Sequence, residues 1–520
     1  MKNKAQRILA TALAAGMAVS MAACGNSGSA SSAASASSTG AAESTSSDTQ
    51  QVDLSQQEPY TVKIMMLDEG KTEIVDEVAA AASKITQEKF NTTIELVRVG
   101  WGSWAQQVAL TLTSGEKLDL FPAFALDSSL ATLVSNGQIL PMTELLKGAG
   151  ADTYGMVPAE DWACTTIGGE IYGVPFNKGK QNVYGASCDE TIAKELGIDL
   201  DAIKTLDDFE AALAKVKAAY PDMYPLATDN QRLKVMVPSD SLGDPREIVL
   251  GALVNALDSS TTVENLYASD AYKDFVYRMY DWAQKGYIMP DGVSNTESGT
   301  NLIRAGAAFA NFYTGPAPDT EARISREVGK PIKDVEFFEH YKTTSETSPC
   351  WSIAANSEQP ERAMQVLNEM YTNQELANIF IYGIEGKTYE FVDDAKTTID
   401  YPEGVDAANA GYAFDHWAWP NMLLSYVWEG YPADVYKEYE TFNAGGTPSP
   451  AYGFAFDNQN VLNEYTACTN VVLKYVEALN CGSMNPEGNL EKFNQELVDN
   501  GIETIVAEKQ KQLDAWLAAK

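Results

Sequence analysis

The residue types that supply catalysis are sparse in this chain of 520 residues. Only two histidines occur, His340 and His416, and neither lies in an H-E-x-x-H pair that would hold zinc from one helix face. No G-x-S-x-G turn presents a serine nucleophile. Gly386-Lys387-Thr388 and Gly70-Lys71-Thr72 imitate the end of a phosphate loop, but Ile381 and Met65 stand where its first glycine belongs. A glycosidase needs only two carboxylates, and with 72 acidic residues composition leaves that alternative open, although none of them sits in a motif-like setting.

One residue does have a recognisable chemical setting. Lys2, Lys4 and Arg7 form a basic start, followed by an apolar, alanine-rich stretch over residues 8–19 that is too short to span a bilayer. It runs into Met21-Ala22-Ala23-Cys24-Gly25, which resembles a bacterial lipobox with Met21 where leucine is usual. Residues 1–23 are therefore expected to be a signal peptide and Cys24 the lipidated residue. Two or more acyl chains suffice for stable anchoring. Residues 25–58 are almost entirely small or polar, with Val52 and Leu54 the only large apolar side chains. Such a segment cannot offset its ordering entropy and is expected to be a tether spanning about 30–35 Å as a coil. No later segment is apolar for the ~18 residues a second span needs.

The formal net charge of −35 argues against nucleic acid or anionic lipid as partners. Loss of Lys2, Lys4 and Arg7 would make the charge more negative still. Without Cys24 five cysteines remain, an odd number with no C-x-x-C, so buried free thiols are expected rather than a metal or redox centre.

Several elements must position whatever site exists. YTVKIMMLD (Tyr60–Asp68), Thr92–Val99 and Leu118–Phe124 read as strands; residues 73–90, 104–113 and 128–135 read as helices between and after them. This βαβαβ order favours a parallel sheet. Thr205 with Asp208 forms a capping box before apolar residues at steps of three and four, and Pro360 suits the first turn of another helix. Residues 489–517 read as one or two helices.

The order of landmarks resembles an extracellular solute-binding protein of a carbohydrate-type ABC importer. The matching pieces are WGSWAQQVALTLTSGEKLDLF (Trp101–Phe121), GQILPM (Gly137–Met142), IGGEIYGVP (Ile167–Pro175) and PERAMQVLNEMY (Pro360–Tyr371). YGIEGKTYE (Tyr382–Glu390), GFAFD (Gly453–Asp457) and GIETIVAEKQKQLDAW (Gly501–Trp516) are similar to a lipoprotein subfamily with a distinct C-terminal region. The resemblance implies an α/β, two-lobe periplasmic-binding-protein-like (type II) fold with hinge strands and a helical C-terminal region. It places residues 59–177 with 349–405 in lobe 1 and 178–348 with 406–520 in lobe 2, with crossings near Val174–Lys178, Pro349–Ile353 and Gly404–Phe414. It also implies a monomer that captures a carbohydrate without a cofactor and delivers it to membrane permease subunits. A peptide or other solute, or a surface glycosidase or adhesin, stands as the alternative.

Sugar recognition needs flat apolar faces for the C–H side of the ring and polar groups for its hydroxyls, placed beyond the carboxyl ends of sheet strands. Asp68, Trp101 and Asp127 follow the three first-lobe strands; an N-cap or loop role is the competing reading for both acids, and Trp104 is expected to pack inward. Asp229 and Asn230 follow a strand at Tyr224–Ala227. Phe312 and Tyr313 follow one at Ala307–Ala310, Tyr313 having both a face and a hydroxyl. Trp351 borders a hinge strand, where an aromatic serves either the core or the cleft. Trp417 and Trp419 stand in the dense aromatic loop His416-Trp417-Ala418-Trp419-Pro420-Asn421, with packing between lobes as the alternative to ligand contact.

Overall fold

The computed structural model describes residues 54–520 except 69, 125–129, 230–231, 245–247, 291, 315–316 and 408. The signal peptide, Cys24, most of the tether, Asp127 and Asn230 lie outside the described residues. No helix among the described residues is long and apolar enough to cross a membrane.

Tyr60–Asp68 is buried on both faces along most of its length, as a central strand must be when helices cover both sides. It pairs in parallel with Thr92–Gly100, in a register that sets Asp68 opposite Gly100, and with Leu120–Ala123. Cys350–Ile353 returns antiparallel beside Leu120–Ala123, and Val174–Pro175 closes the five-stranded sheet. The helix Val75–Phe90 stops at Asn91, whose left-handed backbone turns its N–H back to Gln87 O. Pro360 opens the helix Pro360–Thr372, which covers the same core.

A second sheet orders Ile332–Glu336, Tyr184–Asp189, Ala310–Thr314 and Leu226–Ala227, the last two in parallel. Its core gathers Phe209, Trp282, Phe312 and Phe337. Thr205 caps the helix Leu206–Ala219 through a reciprocal box with Asp208. The helices Leu462–Asn480, Asn489–Asp499 and Ile502–Ala519 join this second core through Val472, Phe493, Ile505 and Leu513.

The chain crosses between the two cores three times. Phe176 belongs to the first core and Ala186 to the second; Phe337 belongs to the second and Cys350 to the first. The third crossing differs from expectation. Tyr412, Phe414, Ala418 and Trp419 all pack in the first core, and the chain reaches the second only at Ala451. The chain therefore passes to the second core between Trp419 and Ala451 rather than near Gly404–Phe414. Gly404 and Gly411 occupy left-handed turns, and the apolar area of the residues after them decides the packing. A small sheet of Glu390–Phe391, Thr398–Asp400 and Val427–Trp428 is fixed to the first lobe by Tyr382, whose hydroxyl donates to Tyr426 O (3.2 Å).

Candidate ligand site

Because Asp68 and Gly100 are in register, the segments after the first two strands emerge at one edge of the first sheet, beside the end of Leu120–Ala123. Trp101 opens a short 3-10 turn there and is 38 % exposed. Its ring lies 5.9 Å from that of Trp417, with the planes 9° apart. Phe124 meets both tryptophans, at 5.2 and 5.8 Å, and Phe176, at the first crossing, comes within 6.4 Å of Trp417. Four separate chain segments thus build one aromatic face at the carboxyl ends of the strands. Trp104 is buried, meeting Phe124 edge-on at 5.5 Å.

Trp417 is held by its own turn, His416–Ala418, where its indole N–H donates to Asp415 Oδ2 (3.1 Å). Trp351 and Trp419, expected as ligand residues, have no exposed surface and cannot face a ligand. They are struts of that turn. Trp351 Nε1 donates to Ala418 O (2.9 Å), and Trp419 Nε1 donates to Met370 O (2.9 Å). Both are satisfied in the core, as buried indoles must be.

The other candidates are scattered. Asp68 accepts the N–H of Gly70 (2.8 Å), which closes its loop. Asp229 accepts the N–H of Gly299 (3.0 Å) at the start of the helix Gly299–Arg304 and exchanges backbone hydrogen bonds with Arg232. Tyr313 lies within a strand that starts later than expected, directly across from Gly185. Its half-buried ring covers that glycine and its hydroxyl donates to Val335 O (3.3 Å). Alternation sends its neighbour Phe312 into the core.

The second lobe offers a cavity of about 100 Å³ near the crossings, lined among others by Asn182, Tyr184, Arg232, Ser241, Ser345 and Glu477. Tyr184 stacks on Tyr341 at 6.1 Å with the planes 8° apart, and their hydroxyls are 3.0 Å apart. Arg232 pairs with Glu477 at 3.4 Å. None of these was singled out from the sequence. Tyr184 could have been, as an aromatic at the start of the strand after a crossing. Glu477 lies in the last turn of the helix Leu462–Asn480, with no local signal.

His416 joins the turn to the second lobe, its Nε2 3.4 Å from Asp319 Oδ2, while Tyr439 donates to Asp319 Oδ1 (2.6 Å). Burial pushes the Asp319 carboxyl up, but the hydrogen bond and charge of His416, together with Arg323, outweigh it and hold the pKa at about 2. Among the described residues no cluster of His, Cys, Asp or Glu could hold a metal ion. None of the five described cysteines forms a disulfide and all are buried; burial raises the Cys164 thiol to about 11 and that of Cys350 to about 12. The arrangement offers aromatic faces and directional hydrogen-bonding groups.

Residues 69–377 match the family model described as bacterial extracellular solute-binding protein, and residues 450–518 match a domain of unknown function (DUF3502). A carbohydrate ABC transporter substrate-binding protein of Streptococcus pneumoniae serotype 4 is 27 % identical over 454 residues, covering 86 % of this chain and 90 % of the relative. The crystal structure of the N-glycan transport solute-binding protein NgtS from Streptococcus pneumoniae superposes with a TM-score of 0.77 at 25 % identity, over 89 % of this chain and 99 % of that one. The same protein in complex with Man5GlcNAc gives 0.73 at 24 % identity, again over 89 % and 99 %.

Proposed function

The chain belongs to the bacterial extracellular solute-binding proteins, and on that premise we propose that it is the lipid-anchored, substrate-capturing subunit of an ABC importer for a carbohydrate. The observation that carries the sugar is the aromatic face of Trp101 and Trp417 at the carboxyl ends of the first sheet's parallel strands. A pyranose presents C–H bonds on one face and hydroxyls around its rim. The tryptophan pair suits the first, and the polar wall of Asn182, Arg232, Ser241, Ser345 and Glu477 suits the second. The similarity to proteins named for carbohydrate and N-glycan transport supports an oligosaccharide containing mannose and N-acetylglucosamine as the first ligand to try. Capture works by closure of the two lobes about their three crossing segments, ligand binding favouring the closed arrangement that a permease receives. The protein binds its sugar and releases it intact.

The test is calorimetric titration and thermal melting of the folded protein with Man5GlcNAc and a panel of mono- and oligosaccharides. Saturation at ~100 Kd should add about 2.7 kcal/mol of stability. No response to any sugar, with a response to peptides, would overturn the carbohydrate reading. Release of shorter sugars on prolonged incubation would make the protein a glycosidase instead.

A further inference from the structure

The C-terminal helix Ile502–Ala519 carries a lysine with no exposed surface. Lys509 Nζ donates to Asp244 Oδ2 (2.6 Å), Gly251 O (2.9 Å) and Ser241 O (3.2 Å), so all three ammonium protons are used. All three partners lie on the loop 239–253. Asp244 in turn accepts the N–H of Leu250 (2.6 Å) and the hydroxyl of Tyr465 (2.9 Å). The next residue, Gln510, accepts the N–H of Val263 (2.8 Å) and donates to Thr261 O (3.1 Å), so one helical turn grips two loops.

Among its described residues the held loop has no helix or strand, only the isolated bridges of Asp240 with Leu253 and of Ala252 with Glu264. Leu242 is a buried leucine in the left-handed region (φ 59°), a conformation that costs free energy and persists only where its surroundings impose it. Gly251 has φ 103°, and a Cβ there would meet Lys509 Cδ at 3.3 Å. The same loop forms one wall of the second-lobe cavity through Ser239, Ser241 and Val249. Ser241 also joins its hydroxyl to that of Ser345 on the second crossing segment (2.8 Å). An unbroken chain of bonds therefore runs from Lys509 through Ser241 to Ser345.

We infer that Lys509 is a positioning residue for ligand binding: it fixes the loop 239–253 so that Ser239, Ser241 and Ser345 present one preformed polar wall to the ligand. This gives the C-terminal stretch of unassigned role a place in the binding site. A burial this complete costs the ammonium its water, and a pair of well-packed apolar side chains would stabilise the fold as well or better. What the lysine adds is direction, since one cation organises two carbonyls and a carboxylate that apolar atoms could not hold.

The inference rests on the carbohydrate reading above, and two arms keep the two separable. Lys509→Met and the double variant Lys509→Met with Asp244→Asn are titrated with Man5GlcNAc well below their melting temperatures. Hydrogen exchange is followed at the ligand-free amides of Leu250 and Leu253, which bond to Asp244 and to Asp240 O. The double variant removes the carboxylate that Lys509→Met strands at position 244 and leaves only Asp240 without the lysine's charge, so its melting temperature recovers in part relative to Lys509→Met. Its affinity stays about tenfold or more below that of the wild type, and both amides exchange faster. Wild-type affinity in the double variant would overturn the inference whatever its stability. If the wild type binds no glycan, the carbohydrate reading fails, while unchanged exchange at Leu250 and Leu253 would still sink the positioning role. Should neither Lys509 variant fold, Tyr465→Phe decides. Faster exchange at Leu250 with weaker glycan binding supports the role, and wild-type values of both overturn it.

Discussion

Trp101 and Trp417 come from opposite ends of the first lobe's sequence and lie face to face, 5.9 Å apart at 9°. Phe124 and Phe176 support the pair from beside it. A stacked pair with one member 38 % exposed is a surface ready to receive a third flat group.

If that surface carries the ligand, Trp417→Ala should weaken sugar binding roughly 5- to 150-fold, on the order of 1–3 kcal/mol of lost apolar contact. Trp419→Ala should instead cost about 3–5 kcal/mol of folding stability, since its ring is wholly buried against Phe380 and Phe414. Calorimetric titration and thermal melting of both variants separate the two roles. A Trp417 variant that melts far lower yet binds normally would assign that ring to packing alone.

Trp351→Phe removes the N–H that Ala418 O accepts while keeping an aromatic ring in the core. The stranded buried carbonyl should cost about 1–3 kcal/mol. Affinity should fall as well, because the turn that presents Trp417 loses an anchor. The measurement is urea unfolding followed by titration of the folded variant; unaltered affinity would show that the turn holds itself.

Asp319 gives a pH signature. Its folded pKa of about 2 lies below the ordinary carboxylate value of ~3.9, so it stabilises the fold above that value and the contribution is lost as pH falls through about 2. The size is about 2 kcal/mol just above the ordinary carboxylate range. Asp319→Asn should therefore be less stable than the wild type at pH 6, with the difference shrinking between pH 4 and pH 2. Parallel stability curves over that window would contradict the pairing with His416.

Arg326, on the second lobe's helix Thr320–Val328, reaches the small sheet of the first lobe. Its guanidinium sits over Trp428 (4.3 Å) and Tyr401 (5.2 Å), pairs with Asp400 and donates to Glu429 O (3.2 Å). Arg326→Met should cost about 1 kcal/mol and enlarge the ligand-free radius of gyration in small-angle scattering, since a contact joining the lobes is lost. A smaller or unchanged radius would show that this contact does not restrain them.

Cys24→Ala should move the protein from the membrane fraction to a soluble one, because a single transferable anchor is read at that residue. Fractionation with an antibody against the folded part measures it. Equal membrane retention would exclude lipid attachment there.

The local signals in the sequence were legible where they were short-range. The first three strands, the Thr205–Asp208 capping box and the Pro360 helix start all rest on periodicity or on residues within one turn. Trp417 was visible as an aromatic outside any helical stripe. Trp351 and Trp419 share that appearance, and what distinguishes them is tertiary: each has a carbonyl waiting for its indole N–H deep in the core. Tyr313 was displaced because the strand Ala310–Thr314 begins three residues later than its apolar run suggests, which moves the tyrosine from the strand's end into its middle. Lys509 was not visible at all. A lysine within a helix reads as a solvated face until the loop it enters is known.

The strand Cys350–Ile353 lies between Leu120–Ala123 and Val174–Pro175, joined to both. During synthesis, which proceeds from the N-terminus, the earlier strands must wait for some two hundred residues before their neighbour emerges, with the edge of Leu120–Ala123 unpaired meanwhile. Trp419 arrives later still. All four strands of the second sheet lie within residues 184–336, yet that core waits for the terminal helices. Neither half can be finished before nearly the whole chain is available, a topology rich in distant contacts that folds slowly and leaves apolar edges open to capture or misassembly on the way.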